Sequence, residues 1–359
     1  MYDSERAVRD NGADREPFAL EVGGLNVEFA TPWGPVSALD DVGFRVGRGR
    51  ILGLVGESGC GKSLSALSIM RLLPASARIT GGSIRLAGAG DLLALPEARM
   101  RSLRGGRISM IFQDPMTSLN PVMRIGAQMV EGMRYHQRIG RKEARERAVE
   151  VLGMVGIKQP EKRVDDYPHQ LSGGMCQRVM IGMALACEPQ VMLADEPTTA
   201  LDVSIQAQIL ALMHEMRDRT GTAIVLITHD LGVIAEMTDE VCVMYAGTVV
   251  ERASVGRLFD SPLHPYTRGL MRSVRAGHDE SLVKQALPAI PGNVPSLARL
   301  PTGCRFSDRC DRAFADCHRI RPSLKEVDQG HEVRCLLYES DRAETDADTA
   351  DRARPETEG

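Results

Sequence analysis

Several short apolar runs stand out along the chain. ILGLV at 51–55, RISMIF at 107–112, VMLA at 191–194, TAIVLI at 222–227 and VCVMYA at 241–246 show little or no alternation. That pattern belongs to strands buried on both faces. Between Phe18 and Val46 the segments LEVGGLNVEFA and SALDDVGFRV alternate instead, as antiparallel strands with one wetted face do, and GGSIRLAG adds a further short strand. Residues 64–73 read as a helix stopped by Pro74, and a mostly helical region spans about 114–189. Within it Ala144, Ala148, Val151, Leu152 and Val155 mark one helical face, which Gly156 can end. Buried strands alternating with helices predict an α/β fold with a mostly parallel sheet covered on both sides. From Ser261 prolines become frequent, as in a linker or a small irregular domain. Residues 1–17 read as a disordered leader and the acidic stretch 339–359 as a disordered tail.

The first apolar run leads straight into GESGCGKS, which fits G-x-x-x-x-G-K-[ST] at Gly56, Gly61, Lys62 and Ser63. Glycines let the backbone of Gly56, Glu57, Ser58, Gly59, Cys60 and Gly61 close around a phosphate chain so that its N–H groups donate. Lys62 is placed to reach the β- and γ-phosphates, and the Ser63 hydroxyl to ligate Mg²⁺. The helix opening at Leu64 points its positive end at the anion. A glycine-rich strand-to-helix turn that binds nothing is the bland alternative, and the Lys–Ser pair between a strand and a helix argues against it.

Composition narrows the class. The 359 residues are 43% apolar, 26% charged and 4% aromatic, with a formal charge of −4. That length suits one large α/β domain with a smaller appendage. The charge and the lack of a basic tract speak against a nucleic-acid partner. No apolar run approaches the roughly 18–20 residues of a spanning helix, and the N-terminus lacks the basic-then-apolar pattern of a secretory signal. A cytoplasmic location is expected, with any membrane spans supplied by other chains.

Further motifs follow in order. LSGGM at 171–175 offers the Ser172 hydroxyl and the backbone of Gly173 and Gly174 at a helix start, a second anion cradle. One γ-phosphate cannot occupy both cradles unless two chains face each other. At the end of the 191–194 strand, Asp195 suits Mg²⁺ coordination and Glu196 suits activation of an attacking water. His229 follows another strand, where it can hydrogen-bond the γ-phosphate. Phe29 closes an early strand and reads either as a core residue or as an aromatic able to stack on adenine; Trp33, in a Pro/Gly turn, is a weaker stacking candidate.

The loop at 56–63, Gln113, LSGGM, DEP at 195–197 and His229 together resemble, over residues 18–260, the ATP-binding cassette of ABC transporters. The resemblance implies a P-loop NTPase fold with a RecA-like core, an antiparallel β-subdomain and a helical subdomain at about 114–189 carrying LSGGM. It implies a head-to-tail dimer with two ATPs, each between the P-loop of one chain and the signature of the other. Phe29 then corresponds to the adenine-stacking aromatic, Gln113 to the Q-loop residue that also approaches Mg²⁺, and Asp202 to the D-loop aspartate. Catalysis would rest on Glu196, His229 and Gln113. QDPMTSLNPV at 113–122, ADEPTTALDVSIQAQIL at 194–210, SPLHPYTRGLM at 261–271 and IPGNVPS…LPTGCRFSDRC at 290–310 resemble the dipeptide/oligopeptide importers, and LSGGM with VMIGMALACEP their D-type ATPase subunit. The implied partners are an F-type ATPase subunit, two permeases and an extracytoplasmic peptide-binding protein, at the inner face of the cell membrane. Nickel and glutathione importers share much of this pattern. Non-transport cassettes usually carry a long coiled-coil insertion or a second cassette, and neither is visible. Cys176 departs from the family, which more often has arginine there, and so removes a positive charge near the signature.

Cys304, Cys310, Cys317 and Cys335 leave five, six and seventeen residues between neighbours. Zinc sites generally use two to four between paired ligands, so the spacing suits zinc poorly, whereas four thiolates can hold a four-iron, four-sulfur cluster. The resembling subunits include members with such a cluster at 261–338. Iron–sulfur, zinc and reduced packing cysteines all stay open, and a bound metal would serve to pin an otherwise coreless segment.

Overall fold

The computed structural model describes residues 18–199, 201–278 and 290–339. The expected leader and, beyond Glu339, the acidic tail lie outside the described residues.

The chain opens with two long antiparallel strands, β1 (Leu20–Thr31) and β2 (Gly34–Val46), crosses to β3 (Ile51–Val55) and returns through β4 (Ala77–Leu86) and β5 (Gly90–Asp91). Strands β2, β1, β4 and β5 form a four-stranded antiparallel sheet in that order. The alternation between 18 and 46 dictates this, because Leu20, Val22, Leu25 and Val27 all turn inward. Their neighbours along β1 are only half-buried.

The apolar runs become β6 (Ile108–Ile111), β7 (Val191–Asp195), β8 (Ala223–Ile227) and β9 (Glu240–Tyr245), and β10 (Thr248–Ser254) turns back along β9. Strands β9, β3, β8, β7 and β6 lie side by side and parallel. Period-two geometry explains why these runs are apolar throughout: in β8, Ile224 and Leu226 face one core while Ala223, Val225 and Ile227 face the other. Each buried Ile, Leu or Val of this strand contributes about 1.5–3 kcal/mol over its exposed state.

The helix after the P-loop runs Lys62–Met70, shorter than the pattern up to Pro74 suggests. Arg71 ends it by adopting φ 52°, its N–H turning back to the carbonyls of Leu67 and Ser68. The helical region contains Ile125–Gln137, Arg141–Met154 and Gly173–Leu185. As the periodicity predicts, Ala144, Ala148, Val151 and Leu152 are buried, and Gly156, at φ 75°, lies just past the end of their helix.

The C-terminal segment is tied to the main sheet more closely than a separate irregular domain would be. After the helix Pro265–His278, the hairpin β11 (Lys325–Asp328) and β12 (His331–Val333) joins β10 and extends that sheet to eight strands. Glu251 of β10, fully buried, accepts from the backbone of Leu263 and His264 at 2.7 and 2.8 Å and lies 2.8 Å from His331 Nε2. Arg334 adds a bond to the Val249 carbonyl at 2.9 Å. A carboxylate so buried is held by these partners, and removing one would leave an unpaired charge.

Candidate active site

The buried strand β3 delivers the chain to Gly56, whose φ of 150° and close approach to β9 exclude a side chain: a Cβ there would lie 2.2 Å from the Met244 carbonyl oxygen. Gly61, at φ 102°, begins the helix. Lys62, the first residue of that helix, folds its side chain back over the loop and donates to the carbonyls of Gly56 (2.7 Å) and Glu57 (3.1 Å). The Cys60 thiol is buried beside the Lys62 ammonium, and burial pushes it above its usual range.

This loop floors a cleft of about 260 Å³ lined by Phe29, Ala38, Ser58, Gly59, Gly61, Lys62, Ser63, Leu64, Gln113, Glu196 and Leu297. The cleft gathers residues from four strand ends: β1, β3, β6 and β7. Phe29 is half-buried on its wall rather than in a core, whereas Trp33 is 93% exposed and does not line it.

At the end of β7, Asp195 is 3% exposed. Burial pushes its carboxyl above the ordinary range, the neighbouring Glu196 adds to this, and a hydrogen bond with Ser63 and the Lys62 charge oppose it. Its Oδ1 is buried with no hydrogen-bond partner among the described residues. Glu196 adopts φ 48°, and its N–H donates to the Ile227 carbonyl at 2.9 Å. Its carboxylate accepts from Thr199 Oγ1 at 2.8 Å and lies 3.1 Å from His229 Nδ1. Burial would raise this carboxyl, but Thr199, His229 and the Lys62 charge together hold it below the ordinary value. A carboxylate aimed by two side chains at the rim of a phosphate loop is suited to take a proton from water.

Ser172, Gly173, Gly174 and Asp202 do not line this cleft. Ser172 caps the helix Gly173–Leu185, its Oγ accepting from Met175 N at 3.3 Å, and a Cβ on Gly173 would meet nothing within 4 Å. Asp202 caps the helix Val203–Thr220 by accepting from Ile205 N at 2.9 Å. The Cys176 side chain turns into the core and its thiol donates to the Pro168 carbonyl at 3.4 Å. The position therefore packs the helical region, and the residue type there alters the core before it alters the field at the signature.

Cys304, Cys310, Cys317 and Cys335 converge on one small pocket with His264, Phe306 and Leu336. Burial pushes the Cys304 thiol up to about 11 and Cys335 up to about 12, and each is raised further by the neighbouring cysteines. Among the described residues, no three His, Cys, Asp or Glu side chains are grouped so as to hold a single metal ion.

Sequence reasoning missed several residues. Leu297 reaches the cleft from the C-terminal segment, with no local signal to mark it. Thr199 has a weak one, being three residues beyond Glu196. Arg309 and Tyr266 contact the phosphate loop at Glu57 across more than two hundred residues of chain.

Comparison with known proteins agrees with this geometry. Residues 39–199 match the ABC transporter family, and residues 250–317 match the oligopeptide/dipeptide transporter C-terminal region. The chain is 52% identical over 330 residues to the "Probable peptide ABC transporter ATP-binding protein y4tR" of Sinorhizobium fredii, covering 91% of this chain and 97% of that one. It is 50% identical over 326 residues to the oligopeptide transport ATP-binding protein AppD of Bacillus subtilis, covering 90% and 98%. Among solved structures, the dimeric ATP-binding cassette MJ0796 in a post-hydrolysis state bound to ADP and Pi superposes with a TM-score of 0.60 at 26% identity, over 66% of this chain and 98% of that one. CbiO1 from Clostridium perfringens, part of the cbiONQ transporter complex, gives 0.56 at 27% identity, over 68% and 92%. With its P-loop cassette and the C-terminal region that follows it, the chain belongs to the ATP-binding subunits of the ABC transporter family, in its oligopeptide/dipeptide branch.

Proposed function

We propose that this chain is the ATPase subunit that powers uptake of dipeptides or oligopeptides through partner permeases. The observation that carries the catalytic part is Glu196, oriented by Thr199 and His229 at the rim of the cleft floored by Lys62. Adenine lies against Phe29. Backbone N–H groups of the 58–63 part of the loop and Lys62 take the phosphates, while the Glu57 N–H is held by Tyr266, and Gln113 faces the γ end. Glu196 accepts a proton from the attacking water, and His229 and Lys62 stabilise charge on the transferring phosphoryl group. The unpartnered buried Oδ1 of Asp195 and the Ser63 hydroxyl make a hard oxygen pair that suits Mg²⁺. Mg²⁺ bound there, with Gln113 nearby, supplies charge neutralisation at the β- and γ-phosphates.

The position of Ser172, Gly173, Gly174 and Asp202 away from the cleft supports a paired arrangement in which they complete the site of an opposing chain. An F-type ATPase subunit is the expected partner, working with two permeases and an extracytoplasmic binding protein at the inner face of the membrane. Among the described residues no helix is long and apolar enough to cross a membrane, so the pathway would belong to those other chains.

That Cys304, Cys310, Cys317 and Cys335 line one pocket supports a reading in which they act together as a four-thiolate donor set. These residues would hold a 4Fe–4S cluster, which supplies a cross-link for the C-terminal segment.

Reconstitution with candidate permeases in proteoliposomes tests the reading. Labelled peptides should accumulate only with ATP, and peptide with its binding protein should stimulate hydrolysis. Stimulation by nickel or glutathione and not by peptides would overturn the substrate assignment while leaving the ATPase intact.

A further inference from the structure

The phosphate loop is gripped from the C-terminal segment at one residue. The Glu57 carboxylate takes a two-pronged bond from Arg309, with Nη1 to Oε2 at 2.6 Å and Nη2 to Oε1 at 3.0 Å. The Glu57 N–H donates to the Tyr266 hydroxyl at 2.8 Å. Arg309 is itself fixed: Nε donates to the Pro291 carbonyl at 2.9 Å, Nη2 to the Ile290 carbonyl at 3.3 Å and Nη1 to the Tyr245 hydroxyl at 3.4 Å. The guanidinium carbon lies 5.8 Å from the Tyr245 ring centroid and 6.0 Å from that of Phe306. Its side chain is 5% exposed and that of Glu57 28%.

We infer that Arg309 and Tyr266 are positioning residues for ATP binding, holding Glu57 so that the loop stays open to a triphosphate and cancelling its charge. This rests on the reading of 56–63 as the nucleotide site. A carboxylate inside a phosphate loop repels the polyanion the loop must hold. Paired with a buried guanidinium through two bonds, it is neutralised and turned aside. The grip also reaches Lys62, because the Glu57 carbonyl accepts from Lys62 Nζ at 3.1 Å and from Cys60 N at 3.2 Å. Fixing Glu57 at its N–H and its carboxylate therefore sets the carbonyl that parks the phosphate-binding lysine.

The test is equilibrium ATP binding and steady-state hydrolysis on the full chain. Arg309→Met should weaken ATP binding and raise KM about tenfold, with kcat at saturation within about twofold, since the loss acts on the ground-state field. Adding Glu57→Gln to Arg309→Met should recover most of that loss. A strut with no electrostatic role would instead lower kcat and stability together, with no rescue by Glu57→Gln. Should Arg309→Met fail to fold, Arg309→Lys keeps the charge without the fork, and Tyr266→Phe removes one hydroxyl; each should raise KM severalfold. Unchanged KM in these variants, or a double variant no better than Arg309→Met, overturns the proposal. Lys62→Ala separates the two readings: if it leaves ATP binding intact, the nucleotide-site assignment itself fails.

Discussion

Gln177, in the helix that Ser172 caps, donates through Nε2 to the Pro197 carbonyl at 2.6 Å, one residue beyond Glu196. The helical region is thereby bonded to the segment that carries the expected base. Both groups are buried, and Gln177 Oε1 has no partner among the described residues. Gln177→Leu removes the only part of the side chain that is bonded and leaves the Pro197 oxygen without this donor. It should cost about 1–3 kcal/mol of stability and lower kcat severalfold with ATP affinity retained, as thermal unfolding and steady-state kinetics would show.

Thr199→Val keeps the shape of Thr199 but removes the 2.8 Å bond to Glu196 Oε2. The carboxylate then keeps only its contact with His229. The expected result is a fall in kcat of about tenfold with the KM for ATP little changed. A rise in KM alone would place Thr199 in nucleotide binding instead.

Gly56→Ala forces a Cβ to within 2.2 Å of the Met244 carbonyl oxygen at φ 150°. Neither atom is a flexible side-chain end, so strand β9 or the loop must move. Destabilisation of about 3 kcal/mol or more is expected, with loss of ATP binding, checked by thermal unfolding and ligand titration.

Cys242 lies fully buried in β9, and burial pushes its thiol up to about 12. Above the ordinary thiol value the unfolded chain ionises while the folded chain keeps its proton. This contribution to stability is complete below about pH 9 and is lost at about 1.4 kcal/mol per pH unit above it. Cys242→Ala should flatten that alkaline slope, and alkylation of Cys242 in the native protein should stay negligible as pH rises from 7 to 9.

What the chain reveals without its structure follows from the range of each signal. The places of the 56–63 loop, Asp195, Glu196 and His229 at strand ends were legible because each follows a short apolar run that is buried on both faces of the sheet. The helical face of Ala144, Ala148, Val151 and Leu152 was legible for the same local reason. Arg71 ended its helix earlier than Pro74 suggested, because the left-handed turn there satisfies two carbonyls and no residue type announces it. The pairing of β12 with β10 and the Arg309–Glu57 fork join residues far apart in sequence, so no local periodicity encodes them. Cys176 read as a lost surface charge, yet its position on the Gly173–Leu185 helix faces the core.

Glu196→Gln isolates the role of Glu196 in activating water for ATP hydrolysis. The variant keeps the shape and loses the basic oxygen. Purified chain, alone and with its permeases, should bind ATP with near-native affinity, hold it in a stable closed dimer, and hydrolyse it at least about a hundredfold more slowly. Turnover within about twofold of the native chain would rule out Glu196 as the base and place that role elsewhere in the cleft.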